Sequence, residues 1–164
     1  MEVVGLCARH PVLHIRHRER AAFSPCSRNL ALGDSRASNE RRVCSDRITS
    51  HLKAYEALVR DVETESCSHG PSGRRQTGEA YRACCGISYE YFNDIVSRDY
   101  LQAAIQDLPP EESARLAARL APLDERLRAL AAAGTPVDWD ADFQARWPEA
   151  VYWWHYRLPR GVEP

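Results

Sequence analysis

The clearest alternation of apolar and polar positions lies after residue 110. Leu116, Leu120, Leu123, Leu127 and Leu130 recur at spacings of four, three, four and three, which places them on one face of an α-helix. Pro110 suits the first turn of that helix, and Glu111 and Glu112 favour its positive end. Pro122 predicts a kink or a division into two shorter helices. Ala131–Ala133 are expected to finish the helix at Gly134, a residue type favoured just past a C-terminus.

Upstream, Leu101, Ala104, Ile105 and Leu108 share a helical face, with Asp99 and Gln102 spaced as a capping box. Pro109–Pro110 ends that run. Ser88 is a candidate cap for YEYFNDIV, with Ile87 and Phe92 placed for a hydrophobic staple, and a strand over SYEYF is the competing reading. A third helical face comes from Ile48, Leu52, Tyr55, Val59 and Val62, with Ser45 or Asp46 as N-cap. The stretch SCSHGPSGRRQTG then breaks the pattern. Residues 1–45 keep no apolar period beyond a short strand-like alternation at VLHIRH, and cannot bury enough surface to offset the entropy of ordering.

The predicted fold is therefore mainly α. A small helical hairpin (about 97–133) is covered by an aromatic-rich C-terminal segment, and the N-terminal region is largely disordered. The expected divisions are a disordered arm at 1–45, an isolated amphipathic helix at 46–64, a flexible linker at 65–80 and a small helical domain at 81–164. Composition supports this placement of the core. All four tryptophans lie in the last 26 residues, whereas all six cysteines lie in the first 85. The shift also admits a shorter functional unit, with the region before about residue 96 an upstream extension and Val96 read as a start.

Charge narrows the partners. A formal net charge of −1 gives no electrostatic case for a nucleic-acid or anionic-membrane partner. Lys53 stands against 21 arginines, which reads as coding bias of a GC-rich genome. No apolar stretch is long enough to span a bilayer. The start, MEVVGLCARHP, lacks a basic segment followed by an apolar one, so a cytoplasmic location and free thiols are the expectation.

Candidate chemistry is sparse. DWDADFQARWPE places Asp138, Asp140, Asp142 and Glu149 at positions 1, 3, 5 and 12 of a calcium-type loop. Position 6, which needs Gly, is Phe143, no helix enters the loop, and Pro148 stands where an exiting helix should begin. The aspartates are better read as starting a short helix whose Trp139, Phe143 and Trp147 share a face. Cys7, His10, His14 and His17 have metal-like spacing, but no C-x-x-C exists to complete a zinc site and Pro11 breaks the helical register. GPSGRR, Gly70 to Arg75, has the look of an anion-cradling loop and reads as a linker. No G-x-S-x-G, H-E-x-x-H or phosphate-loop lysine is present.

VYWWHYRLPR remains. It reads equally as a strand or a helix, and either way carries aromatics on both faces. Tyr, Trp and Arg are enriched at binding hot spots, so Trp153, His155, Tyr156 and Arg157 form the candidate partner-binding surface. The sequence implies no carboxylate to orient His155 as a catalytic base. The functional expectation is a non-catalytic protein acting on a protein partner, with no cofactor. The alternative is a divalent-metal protein or metal-dependent enzyme using Asp138, Asp140, Asp142 and Glu149.

Overall fold

A computed structural model describes residues 34–67, 75–84, 88–133, 145 and 147–159. Within them the protein is mostly helical. Three long helices, α1 (Asp34–Glu63), α3 (Ser88–Asp107) and α4 (Pro110–Leu130), carry the core, and a short α2 (Gly78–Cys84) precedes α3. Two small antiparallel ribbons complete the described structure. β1 (Ser66–Cys67) pairs with β2 (Gln76–Thr77), and β3 (Ala131–Ala133) pairs with β4 (Arg157–Pro159). A 3-10 turn, Trp153–Tyr156, leads directly into β4.

Each long helix contributes the stripe its spacing predicts. Leu52, Tyr55, Leu58, Val59 and Val62 of α1, Tyr91, Ile95, Leu101 and Ala104 of α3, and Leu116, Leu120, Leu123 and Leu127 of α4 form one buried cluster. Tyr152, Trp153 and Trp154 close it, so the C-terminal segment does cover the helical hairpin. The turn between α3 and α4 is tied by Ser113, whose Oγ donates to the Ile105 carbonyl at 2.8 Å and whose N–H donates to the Pro109 carbonyl at 2.9 Å.

Several expectations need correction. The helix expected over 46–64 begins at Asp34, because no Gly or Pro interrupts the chain between Asp34 and Glu63. It is not isolated, since its apolar stripe lies in the common core. Part of the expected linker, 65–80, forms the β1–β2 ribbon and the start of α2; Gly78 there adopts φ +59, a conformation that favours glycine. SYEYF is helical, and α3 runs unbroken from Ser88 through Asp107, so Asp99 lies inside a helix and caps nothing. Pro122 does not divide α4, which is one helix. Ala131–Ala133 are strand, with Ala131 turning to φ −100, ψ 133 while its N–H still donates to the Leu127 carbonyl. Pairing with β4 takes over where the helix stops.

Residues 1–33, with the expected disordered arm and the Cys7–His17 cluster, lie outside the described residues, as do most of Gly70–Arg75 and Gly134. Cys44 is disulfide-bonded, so free thiols throughout do not hold; Cys67 is a free, buried thiol. Among the described residues no helix is long and apolar enough to cross a membrane.

Candidate functional site

The core of the hairpin contains charge. On α3, Arg98 stands three residues after Ile95 and three before Leu101, so the helix carries it into the apolar interface. On α4, Asp124 stands four after Leu120 and three before Leu127 for the same reason. Both residues are buried. Arg98 Nε and Nη2 each donate to one carboxylate oxygen of Asp124 at 2.9 Å, a bidentate pairing that matches the flat guanidinium to the carboxylate. The Tyr55 hydroxyl from α1 donates to Asp124 Oδ1 at 2.8 Å. One carboxylate thus joins all three long helices. Burial pushes the Tyr55 phenol above its ordinary range, and the neighbouring Asp124 carboxylate pushes it further. Arg98 Nη1 also donates to Gln102 Oε1 at 3.2 Å, which helps satisfy the donors of a buried cation.

The guanidinium of Arg98 lies over the Trp154 ring, 4.1 Å from its centroid. Trp154 is fully buried, and its Nε1–H donates to Asp99 Oδ1 at 2.8 Å. His155 Nε2 meets the same oxygen at 2.8 Å. An ionised carboxylate only accepts, so Nε2 is the donor. Around the imidazole stand Trp147 at 5.2 Å, Trp154 at 6.0 Å, and Phe92 and Tyr152 at 6.4 Å between centroids. His155 is 5 % exposed. An aspartate holding a histidine is the orienting half of a general-base arrangement. Here the aromatic enclosure takes the ring away from solvent, and the contact serves to seat the C-terminal segment.

The candidate partner-binding residues divide by burial. Trp153 and His155 are buried, and Arg128 covers the Trp153 ring at 4.1 Å. Tyr156 and Arg157 are partly exposed; the Tyr156 hydroxyl donates to the Trp147 carbonyl at 2.7 Å. Val151, 36 % exposed, and Glu149, also exposed, precede them on the same segment. Of the alternative metal set, Asp138, Asp140 and Asp142 lie outside the described residues and Glu149 sits on an exposed turn. Among the described residues no group of three or more His, Cys, Asp or Glu side chains is arranged to hold a metal ion.

None of Asp99, Arg98, Asp124 and Tyr55 was read from the sequence as a site residue. A signal existed for two of them. Arg98 and Asp124 stand at apolar-stripe spacings of amphipathic helices, where a charge needs a buried partner. For Asp99 the capping-box spacing gave the wrong role. A second polar contact joins α1 to α3: the His51 ring stacks on Tyr100 at 4.0 Å, and His51 Nδ1 lies 3.4 Å from Ser97 Oγ. Burial, with Arg47 adding to it, holds the His51 imidazole below its ordinary pKa.

No known protein family, curated protein or solved structure matches the chain.

Proposed function

We propose that this is a small helical protein that acts by binding a protein partner, without catalysis, through its aromatic–arginine C-terminal segment. The observation that carries this reading is the arrangement of residues 147–159. Trp153, Trp154 and His155 anchor the segment in the core, while Tyr156, Arg157 and Leu158 stay partly exposed on its rim. A rigid aromatic base beneath a partly solvated Tyr–Arg rim is the anatomy of a binding hot spot. Arg157 has no carboxylate partner among the described residues, so its guanidinium is available to a partner's acidic group. Burial of His155 leaves it unsuited to substrate chemistry.

The test is affinity capture from cell extract with the full chain, comparing wild type with Arg157→Glu and with Val151→Asp. Both side chains lie outside the core, so the fold should be retained, as checked by circular dichroism. The expected result is that a partner recovered by wild type is lost with Arg157→Glu. Equal recovery by all three proteins would remove this surface from consideration. Trp153→Ala is not used here because its cavity would disturb the core and confuse the result.

A further inference from the structure

The contact between His51 and Tyr100 belongs to a cluster of four polar side chains. Arg47 and His51 stand four residues apart on one face of α1, and Ser97 and Tyr100 three apart on one face of α3. The His51 and Tyr100 rings stack with planes 21° apart. His51 Nδ1 lies 3.4 Å from Ser97 Oγ, at the long end for a hydrogen bond. Arg47 joins them, since its charge acts on both the His51 imidazole and the Tyr100 phenol. No carboxylate among the described residues pairs with any of the four.

An exposed arginine without a counter-charge is common; a buried hydroxyl without an acceptor is not. Tyr100 is 6 % exposed, and its Oη has no hydrogen-bond partner among the described residues. Arg47 cannot supply the missing group. A guanidinium only donates, and the phenolic hydrogen needs an acceptor. What the cluster lacks is therefore an acceptor that carries negative charge. A guanidinium, an imidazole and two hydroxyls, brought together from two helices, suit three or four acceptor oxygens better than the two coplanar oxygens of a carboxylate.

We propose that Arg47, His51, Ser97 and Tyr100 form a binding site for a tetrahedral oxyanion, a phosphate or sulfate group. Arg47 is exposed, and His51 and Ser97 are half-buried, so the ligand enters from the Arg47 side and meets the Tyr100 hydroxyl as the Arg47 side chain swings onto it. Arg47 supplies the charge, His51 and Ser97 donate from the flank, and Tyr100 donates from below. The site is independent of the partner-binding segment, and its failure leaves that reading untouched.

Sulfate is the first probe, because its charge is constant across the range in which histidine titrates. The His51 ring signals of the full chain, assigned with His51→Gln, are followed by NMR from pH 5 to 8 in sulfate and in chloride at equal ionic strength. Sulfate should raise the His51 pKa saturably, by about one unit, as an anion beside an imidazole does. Arg47→Gln should weaken sulfate binding by about tenfold or more. Tyr100→Phe keeps the ring stack and should weaken it by about threefold or more without lowering the urea midpoint, since the hydroxyl has no bond to lose. Arg119→Gln, on the exposed face of α4, should change nothing. At pH 7.5, inorganic phosphate binding more tightly than O-phosphoserine assigns the site to the free ion, and the reverse assigns it to an ester group. The proposal is overturned if the His51 pKa is the same in sulfate and chloride, if acetate binds as tightly as sulfate, or if Arg119→Gln weakens binding as much as Arg47→Gln. It is also overturned if Tyr100→Phe lowers the urea midpoint and leaves sulfate affinity unchanged, which would make the hydroxyl a structural donor.

Discussion

Asp124 receives hydrogen bonds from Arg98 on α3 and Tyr55 on α1 while itself belonging to α4. Removing it leaves a buried guanidinium without its counter-charge. Asp124→Ala is therefore expected to cost about 3–5 kcal/mol of stability, read as a drop in urea midpoint. Replacing both partners with apolar residues of similar size, Arg98→Met with Asp124→Leu, should recover most of that loss, because the pair's desolvation penalty disappears with it. If the double variant is no more stable than Asp124→Ala, the pair is not the reason for the loss. His51 gives a prediction with a sign. Its imidazole titrates below 6.5 in the folded protein because burial and Arg47 disfavour the cation. The unfolded chain then binds more protons in the window just under 6.5, so folding stability is full above that pH and declines as pH falls through it. His51→Gln removes this contribution. Urea midpoints measured from pH 7.5 down to pH 5 should fall less steeply in the variant than in wild type, and parallel curves would contradict the assignment.

Among the elements, α4 shows what the sequence made legible and where it misled. Its leucine stripe and its first-turn proline and glutamates were readable, because helical spacing and end preferences act locally. Pro122 led to the expectation of a kink or of two shorter helices; α4 is one helix, so the division does not hold, and packing of Leu120, Leu123 and Leu127 on both sides outweighs the local penalty. Pro122 is exposed, so replacing it should return a main-chain hydrogen bond without touching the core. Pro122→Ala is expected to stabilise the protein by roughly 1–2 kcal/mol, the interior-helix penalty of proline less the unfolded-state entropy it had removed. A thermal melt that does not move upward would argue that neighbouring residues already accommodate the ring. The candidate site was legible only as a list of residue types. That Trp153 and His155 would be buried, and Tyr156 and Arg157 partly exposed, depended on a 3-10 turn feeding β4. That turn is fixed by the bonds of Trp154 and His155 to Asp99 of α3, and β4 by its pairing with β3, all from distant parts of the sequence. The role of Asp99 was hidden in the same way: local spacing suggested a cap, and only the tertiary path of the C-terminus gave its carboxylate two donors.

At the scale of the whole molecule the question is whether α3, α4 and the C-terminal segment fold without α1. The composition shift suggested a unit beginning near Val96, and the core points the other way. Leu52, Tyr55, Leu58, Val59 and Val62 are all buried among side chains of α3, α4 and the C-terminal aromatics. At roughly 1.5–3 kcal/mol for each large apolar side chain fully buried, their removal takes away an amount comparable with the entire stability of a typical domain, about 5–15 kcal/mol. It also strips Tyr55 from Asp124 and leaves the Arg98–Asp124 pair facing water where it had faced α1. A fragment spanning Ser88–Pro164 should retain helical propensity in α4 yet lack a cooperative thermal transition, bind a hydrophobic dye, and show little dispersion of its tryptophan indole signals. Adding α1 back in trans as a peptide spanning Asp34–Glu63 should restore the transition if α1 supplies only packing. A fragment that melts cooperatively on its own, with the Trp154 indole still protected, would mean that the aromatic segment and the hairpin are self-sufficient and that α1 docks onto a finished fold.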